Sequence, residues 1–415
     1  MHSWLFALLL SLICVGSKAQ IFRVNLENEA VRKYLSEVRY TSADDESRVA
    51  DYCTGWNTRL DWPVPLVVNI PEKMTKYALD GSLVFIYSSS NSFDRDVTTL
   101  PLRDYELTIY NMVPGTTYFY TFLSKNTILG VGRIVTQGQL RMIYAPSVLN
   151  VRDIGGWPTA DGRRVRYGKI FRGGELNGRH VADATDLTRL RQLGVAAEID
   201  LRADYEEEHG VSAFGFTDET TTPAGQVPSF FYSNDSGQLP EHITRYAYLY
   251  RWRRQFQFIV RNLQAGRAIY QHCRYGADRT GYLSLLLEGL LGLDYDSLIK
   301  DYELTSFISG IRKKERIDPV IEYIESLGGN SLQEKFQTFW LTKVGVSQAD
   351  INYFMSAMLE GEAPVVSGIA DVEAQEDVNN GYSTADYYDM QGHRMDANRL
   401  SRGLYIMNGR KVVVR

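Results

Sequence analysis

The sequence predicts a multidomain protein with an N-terminal all-β sandwich, an α/β domain and a short C-terminal β-hairpin region. Residues 20–143 contain short runs rich in β-branched and aromatic residues, whereas residues 144–360 alternate strand-like runs with helical periodicity. Residues 384–415 carry turn residues between strand-like runs. With 415 residues, 44% of them hydrophobic and 23% charged, the chain is long enough for two or three globular domains.

The first nineteen residues are expected to be a signal peptide. An apolar run extends from Trp4 to Val15, and residues 17–19 place small side chains where a signal peptidase reads, so the mature chain would begin at Gln20. Such leaders usually begin with Lys or Arg, whereas this one has His2, which leaves an uncleaved anchor as the alternative. We therefore expect an exported protein with no integral membrane segment in its mature chain.

Net charge and cysteine content exclude two classes of protein. A formal net charge of −5 argues against nucleic acid as a partner, so any anion site has to be local. Cys53 and Cys273 are the cysteines that follow the leader, too few for a disulfide framework. We expect the two in different domains, with Cys53 a small buried apolar residue and Cys273 a free thiol.

The N-terminal region, residues 20–143, contains the strand-like runs "SLVFIYSSS", "YELTIYN" and "TTYFYTFLS". The run "NMVPGTTYFYTF", followed by "VGRIVTQG", resembles the end of a fibronectin type III sandwich, in which a Pro-Gly turn leads into a strand. No cluster of candidate catalytic groups occurs in this part of the sequence. The region is expected to be a spacer or docking module.

The C-terminal part begins with an acidic, aperiodic stretch at residues 361–383, which is expected to be a linker. In residues 384–415, Gln391-Gly392 and Asn408-Gly409 separate strand-like runs, a pattern typical of hairpins. The tail, with "GLYIMNGRKV", resembles the C-terminal sorting domains of type IX secretion in Bacteroidetes. The resemblance implies a bacterial protein that is secreted, periplasmic or at the cell surface and contacts secretion machinery. A purely structural hairpin is the alternative.

The stretch "IYQHCRYGADRTGYLSLLLEGLL", residues 269–291, runs from a strand through a loop into an apolar helix. Five residues separate its Cys273 from its Arg279, as in the phosphate-binding loop of the protein tyrosine phosphatase superfamily, which the stretch resembles. A loop of this length can turn its N–H groups toward one anion beside a helix N-terminus. The expected phosphate-binding residues are those around the cysteine: His272, Arg274, Tyr275, Gly276 and Ala277.

Phosphoryl transfer gives three residues of this stretch an expected role. A thiol at a helix N-terminus ionises readily, so Cys273 is the expected nucleophile. Arg279 offers a planar fork for two phosphoryl oxygens, and Thr280 can hydrogen-bond the sulfur when it leaves. No metal or other cofactor is needed. Taken singly, each residue could be structural; it is their combination that indicates a site.

A second set of motifs supports this assignment: "NVRDIGG" at 150–156, "FRGG" at 171–174 and "IDLR" at 199–202. They resemble a tyrosine phosphatase branch that has an Asn-Phe-Arg-Asp-Leu-Gly-Gly motif and an Asp in the catalytic loop. The resemblance implies that Asp200 and Arg202 line the cleft, with a purely structural role as the alternative. That branch often has Lys at the position of Ala277, so one positive charge that could hold a second phosphate is missing.

The expected function is phosphomonoester hydrolysis through a phosphocysteine intermediate, with phosphotyrosine in protein as the leading substrate. Inositol phosphates or phosphoinositides are the alternative substrates, and an inactive module that binds phosphorylated ligands is a third hypothesis. The general acid is expected to be a carboxyl group near the leaving oxygen. Asp278 in the loop and Asp235 in "YSNDSGQLP" are the two candidates, and Asp278 is preferred because it lies beside the phosphate.

Overall fold

The computed structural model describes residues 20–55, 63–220, 227, 229–232, 243–362, 387–388, 394–395, 403–407 and 410–414. The predicted signal peptide, nearly all of the predicted linker and Asp235 lie outside the described residues. The chain divides into a first compact unit that ends at Gly361 and a second that begins at Glu362. Within the described part, no helix is both long enough and apolar enough to cross a lipid bilayer.

In the N-terminal region, the described residues form two sheets from seven strands: β1 Gln20–Asn25, β2 Leu66–Asn69, β3 Leu83–Ser88, β4 Thr98–Pro101, β5 Glu106–Ile109, β6 Thr117–Ser124 and β7 Thr127–Gln137. Five of them pair in the order β1-β7-β6-β3-β4, and β2 pairs with β5. Only the β1–β7 pair among these is parallel. The strand-like runs predicted in this region thus contain β3, β5 and β6, while the resemblance to fibronectin type III stays a prediction.

The expectation that this region is all β is wrong, because it also contains helices α1 Glu29–Glu37 and α2 Thr75–Leu79. Asn28 caps α1, since its side chain accepts a hydrogen bond from the Val31 N–H at 2.9 Å. Val31 and Tyr34, three residues apart, are both buried on one face. This helical periodicity extends over only nine residues, so the surrounding strand pattern concealed it.

The α/β region is built on a five-stranded sheet in the order β12-β11-β13-β10-β8. Its strands are β8 Arg152–Asp153, β10 Ile170–Gly173, β11 Val195–Asp200, β12 Phe230–Tyr232 and β13 Ala268–His272. Strands β10 to β13 are parallel to their neighbours, and β8 is antiparallel to β10 at the edge. A separate pair joins β9 Arg164–Val165 to β14 Leu359–Glu360, which ties the end of the region to its beginning.

Seven α-helices accompany this sheet in the part of the region that the structure describes: α3 Ala184–Gln192, α4 Tyr246–Gln264, α5 Asp278–Leu291, α6 Tyr295–Glu303, α7 Asp318–Glu325, α8 Leu332–Thr338 and α9 Gln348–Met358. Helix α5 is buried at every residue from Arg279 to Leu291. Short helical turns at Leu304–Phe307 and Lys314–Arg316 follow α6, and a π-helical turn at Phe339–Val344 follows α8. Burial of α5 on all sides makes it the central helix of the region.

The register of the parallel strands brings three chain segments to one edge of the sheet. His272 at the end of β13 pairs with Asp200 at the end of β11 and with Gly173 at the end of β10. Because the carboxyl ends of parallel strands lie at the same edge, the loops that follow these residues converge there. All five residues of β13 are buried, so the segment after His272 starts from a fixed position.

The second unit contains a four-stranded sheet in the order β16-β15-β17-β18. Its strands are β15 Tyr387–Tyr388, β16 Arg394–Met395, β17 Gly403–Met407 and β18 Arg410–Val414. All of its pairs are antiparallel, and β17 and β18 are two residues apart in sequence. The strand-like runs of the tail therefore pair as antiparallel strands, while their sorting function stays a prediction.

Candidate active site

The loop between β13 and α5, residues 273–277, forms the floor of the site and is called the catalytic loop below. It begins with the free, buried Cys273 directly after the central strand. Helix α5 follows at Asp278, and its N-cap residue, Ala277, provides no side-chain hydrogen bond to the first turn. The side chain of Ala277 therefore leaves the N–H groups of that turn uncapped, an arrangement suited to an anion.

Gly276 is required in this loop for two reasons. Its φ of +63° lies in the left-handed region that disfavours other residues. A Cβ at this position would also lie 2.3 Å from the carbonyl carbon of Gly173, at the end of the neighbouring strand β10. The catalytic loop is therefore packed directly on the backbone of β10, which fixes its height above the sheet.

Two side chains hold the carbonyl groups of the loop. Arg172 Nη2 donates to the carbonyl oxygens of Gly276 at 3.1 Å and of Ala277 at 3.3 Å. Asn150 Nδ2 donates to the same Gly276 oxygen at 3.0 Å and to that of Tyr275 at 3.4 Å. In a trans peptide, the C=O and the N–H of the next residue point in opposite directions. These bonds therefore turn the N–H groups that follow the bound carbonyl groups away from Asn150 and Arg172. An anion inside the loop would meet those N–H groups.

A buried ion cluster supports these two side chains from below. Asp301 accepts from Arg172 Nη1 at 2.6 Å and from Arg152 Nε at 3.3 Å, and Arg152 Nη1 donates to Asn150 Oδ1 at 2.7 Å. Burial raises the pKa of Asp301, but attraction to the two guanidinium groups lowers it by more, so its net pKa is lowered. Burial and repulsion from Arg152 lower the pKa of Arg172 to about 10. Burial, and then repulsion from Asp301, raise the pKa of Glu288 well above its usual value.

A cavity of about 190 Å³ opens above the catalytic loop. Nine residues line it: Tyr205, Glu206, Cys273, Arg274, Tyr275, Ala277, Asp278, Arg279 and Arg312. Six of them belong to the set that the sequence predicted, and Tyr205, Glu206 and Arg312 do not. Cys273 lines this cavity although the residue is only 3% exposed.

Glu206 binds the guanidinium group of Arg279. Its Oε1 accepts from Arg279 Nη2 at 3.0 Å, and its Oε2 accepts a short hydrogen bond from Nη1. Arg274 Nε lies 3.3 Å from the same carboxylate, and the Ala203 N–H donates to it at 2.8 Å. Burial raises the pKa of Glu206, but the bonds from Arg279 and Ala203 outweigh it, so the pKa is lowered. Glu206 is thus an ionised anchor for Arg274 and Arg279.

Asp278 receives three hydrogen bonds on one oxygen. Tyr302 Oη donates to Oδ1 at 2.9 Å, Arg312 Nε at 3.0 Å and Arg316 Nη1 at 3.1 Å. Arg312 is partly buried, whereas the side chain of Arg316 is 58% exposed. Asp278 is therefore oriented by three residues that follow it in the chain by 24 to 38 positions.

Four predicted site residues lie behind the loop and do not line the cavity. His272 is fully buried, and its Nε2 lies 2.9 Å from Glu198 Oε1. Thr280 is also buried, and its hydroxyl oxygen has no hydrogen-bond partner among the described residues. Asp200 accepts from Arg202 at 2.8 and 3.0 Å, and both side chains are 0% exposed.

The prediction that Asp200 and Arg202 line the cleft is therefore corrected to a supporting role. Arg202 donates to the backbone oxygens of Asn177, Glu207 and Glu208 at 2.7 to 3.0 Å. These bonds hold the turn on which Glu206 is located. The guanidinium group of Arg202 thus binds Asp200 and the backbone of the turn that carries Glu206, and it does not line the cavity.

Comparison with known proteins agrees with this geometry, in which an α/β sheet presents a Cys-x5-Arg loop of the protein-tyrosine-phosphatase type. Residues 143–360 match the model of the tyrosine phosphatase family. A protein of Cupriavidus necator, named as a candidate tyrosine-protein phosphatase, is 30% identical over 38% of this chain and 60% of its own length. The triple specificity protein phosphatase PtpB of Mycobacterium tuberculosis is 30% identical over 43% of this chain and 73% of its length. The chain belongs to the tyrosine phosphatase family.

We predict that Glu206→Gln lowers kcat/KM for a small aryl phosphate about 10-fold to 100-fold, because Arg279 loses its ionised anchor. It should also lower the free energy of unfolding at neutral pH by about 2 kcal/mol. A carboxyl group with a lowered pKa in the folded state stabilises the protein above its unfolded pKa and loses that effect as the pH falls through the folded value. The stability difference between variant and wild type should therefore shrink below about pH 4.5, the ordinary value for Glu.

Glu207→Gln is the matched control, since Glu207 is the exposed neighbour of Glu206. Thermal and urea unfolding between pH 3 and pH 8, with initial rates on an aryl phosphate, measure both effects. Equal behaviour of the two variants would contradict the anchoring role.

Proposed function

We propose that this protein hydrolyses phosphomonoesters through a phosphocysteine intermediate, with phosphotyrosine in proteins as the leading substrate. One observation carries the proposal: Cys273 and Arg279 line the same cavity above a loop whose carbonyl groups are bound from outside. A dianionic phosphoryl group in that cavity would meet the loop N–H groups, the start of α5 and one guanidinium group. Membership of the tyrosine phosphatase family supports the same chemistry.

In the proposed reaction, the Cys273 thiolate attacks phosphorus, the sulfur–phosphorus bond forms and the bond from phosphorus to the leaving oxygen breaks. Arg279 binds two non-bridging oxygens while charge redistributes among them. Water then attacks the phosphocysteine, releases inorganic phosphate and regenerates the thiolate. The Thr280 hydroxyl is buried without another hydrogen-bond partner among the described residues, so it is available to the sulfur as it leaves.

We assign the general acid to Asp278. Its three hydrogen-bond donors all bind Oδ1. A protonated carboxyl group can accept on one oxygen and donate from the other, so this arrangement is compatible with a proton on Oδ2. Asp278 also lines the cavity, directly after the loop that would hold the phosphate. Asp235, the alternative, lies outside the described residues.

Aromatic side chains at the cavity favour an aryl substrate. Tyr205 lines the cavity and is 78% exposed, and Tyr275 lines it from the catalytic loop. Exposed aromatic rings beside an anion site suit a phosphorylated phenol, whose ring can stack on them. Phosphotyrosine is therefore the preferred substrate class.

A second phosphate on the substrate is the alternative, and the arginines at the cavity favour it. Arg274 and Arg312 line the cavity, and Arg316 binds the same carboxylate oxygen as Arg312. Inositol phosphates or phosphoinositides would use these groups, although Ala277 contributes no charge. The Mycobacterium tuberculosis relative is named for triple specificity. An inactive module that binds phosphorylated ligands is the third hypothesis. Turnover of phosphomonoesters distinguishes it from an enzyme.

We predict that Cys273→Ser abolishes turnover of a small aryl phosphate, a loss of about 10³-fold or more, because the hydroxyl group is a far weaker nucleophile. Cys53→Ser is the matched control, since Cys53 is the other free buried cysteine and should leave turnover close to the wild-type rate. Rates on phosphotyrosine peptides, phosphoserine peptides and inositol phosphates rank the substrate classes. Full activity of Cys273→Ser would refute the mechanism, and inactivity of the wild type on the whole panel would favour the binding module.

The assignment of the acid predicts a dependence on the leaving group. Asp278→Asn should slow alkyl phosphates about 10²-fold or more and nitrophenyl phosphate far less, because a stable phenoxide leaves without a proton. Rates over a series of leaving groups with increasing pKa values give the slope for each variant. If Asp235→Asn shows the steep slope and Asp278→Asn does not, Asp235 is the acid.

We further propose that the protein is exported and processed at both ends. The apolar run before Gln20 and the tail that resembles a sorting domain support this proposal. The protein recovered from outside its native host cells should begin at Gln20 and lack the strand-forming tail. Intact-mass measurement tests this, and a full-length cytoplasmic species would show that the export proposal is wrong.

A further inference from the structure

Residues 28–55 lie outside the part of the chain that matches the family model, which begins at residue 143. This segment, called the N-terminal brace below, nevertheless packs into the core of the α/β region. Six of its residues belong to the same hydrophobic cluster as Cys273 and helices α5 and α6: Val31, Tyr34, Val38, Tyr40, Val49 and Cys53. The N-terminal sheet has a separate core cluster. The brace is thus part of the catalytic region in space, although it precedes that region by about ninety residues in sequence.

A buried carboxylate on α6 joins the brace to the α/β region. Glu303 is 0% exposed, and its Oε2 accepts from the hydroxyl groups of Tyr34 and Tyr40, each at 2.7 Å. Its Oε1 accepts from Ser47 Oγ at 2.6 Å and from the Lys314 N–H at 2.9 Å. Three of these four donors belong to the brace. Without the brace, a buried carboxylate would lose most of its hydrogen bonds.

The fourth donor belongs to a loop at the edge of the cavity, residues 308–316, called the rim loop below. The brace holds this loop at three further points. Lys314 Nζ donates to the Ala43 carbonyl oxygen at 2.9 Å, and the Ser47 N–H donates to Glu315 Oε1 at 3.2 Å. A Cβ on Gly55 would lie 3.3 Å from the Ile311 backbone nitrogen, so the two backbones are in close contact there.

The rim loop in turn contacts the first residue of α5, Asp278, directly after the catalytic loop. Arg312 and Arg316 both donate to Asp278 Oδ1, and Arg312 also lines the cavity. A continuous set of contacts therefore runs from Tyr34 and Tyr40 through Glu303 and Lys314 to Arg312, and from there to Asp278. Each step is a hydrogen bond or a short stretch of backbone.

We propose that the N-terminal brace is a positioning element of the catalytic site, which fixes the rim loop and thereby orients Asp278 through Arg312. The proposal rests on the function proposed above, because it assigns the brace to the same site. The residues involved are positioning residues, since none of the brace side chains in these contacts lines the cavity. It follows that this member of the family uses a segment outside the family-matched region to complete its active site.

The experiment uses the full chain with the substitutions Tyr34→Phe and Tyr40→Phe, which remove one hydroxyl donor each and keep the ring. The matched control is Tyr52→Phe, because the Tyr52 hydroxyl donates to Glu37 within the brace and not to Glu303. Amide hydrogen exchange of peptides from the rim loop, from β13 and from α5 is measured without any substrate. Rates on alkyl and nitrophenyl phosphates are measured in parallel.

Each test variant loses a buried hydrogen bond to Glu303, and Tyr40→Phe also loses the bond that its hydroxyl accepts from the Arg48 N–H. We expect exchange in the rim loop to rise about fivefold to tenfold in Tyr34→Phe and at least as much in Tyr40→Phe, with β13 and α5 unchanged. Turnover of alkyl phosphates should fall more than that of nitrophenyl phosphate, in the direction given by Asp278→Asn. The control should match the wild type in both measurements. Unchanged rim-loop exchange, or an equal rise in β13 and α5, overturns the proposal.

The exchange measurement separates this proposal from the proposed function. If the wild type hydrolyses none of the phosphomonoesters, the function is wrong, and local loosening of the rim loop still shows that the brace positions it. If the wild type is active and the test variants keep its leaving-group dependence, the brace does not act through Asp278 and the positioning role is refuted.

Discussion

The hydrogen bonds from Asn150 and Arg172 to the carbonyl groups of the catalytic loop are the interaction on which the site depends. A loop of five residues has no secondary structure of its own to fix its peptide planes, so side chains have to do so from outside. Arg172 can fill this role because Asp301 balances its buried charge, and Asp301 is in turn shared with Arg152. Buried charges of this kind contribute little net stability, since desolvation offsets their attraction. Their effect here is conformational: they fix the direction of the loop N–H groups.

The same reasoning explains the motifs of this chain. Asn150 and Arg152 lie two residues apart around the short edge strand β8, and Arg172 lies on β10 beside it. Pairing of these two strands places Arg152 opposite Arg172, where Asp301 can bind both. Asn150 and Arg172 therefore hold the loop, Arg152 supports Asn150, and none of the three lines the cavity. A sequence motif near an active site can thus reflect the backbone of the site more than its chemistry.

How far the sequence predicted the site depends on the distance between partners along the chain. Cys273, Asp278 and Arg279 lie within one strand-loop-helix segment, so their spacing alone places them around one cavity. Glu206 is 73 residues from Arg279, and Tyr34 is 269 residues from Glu303, and no local pattern indicates such pairs. "LRADYEEE" contains three adjacent Glu residues, and only the turn held by Arg202 decides that Glu206 points inward. Strands β3, β5 and β6 of the N-terminal region lie within the predicted strand-like runs, whereas α1 is a short helix that owes its stability to packing against the α/β core.

The ion pair between Glu206 and Arg279 looks unfavourable in a site that would bind a dianionic phosphoryl group. It places a negative carboxylate beside the guanidinium group that would hold the phosphoryl oxygens. The geometry of the guanidinium group resolves this. Arginine has five N–H donors in one plane. Glu206 takes one from each terminal nitrogen, and the Leu201 carbonyl oxygen accepts from Nη1 at 3.2 Å. Among the described residues, no acceptor takes the two donors that remain, Nε–H and the second Nη2–H.

These two donors lie parallel on one edge of the guanidinium plane, with the spacing that two oxygens of a phosphoryl group need. Glu206 therefore does not occupy the ligand position; it binds the end of the guanidinium group, between Nη1 and Nη2, and leaves the side-on fork of Nε and Nη2 for the substrate. Its charge also compensates Arg279 and Arg274 while the cavity holds no anion, which limits the repulsion between two guanidinium groups at a buried site. Glu206 weakens the local positive potential. The same carboxylate holds the Arg279 guanidinium group in the one orientation in which its side-on fork can bind a ligand.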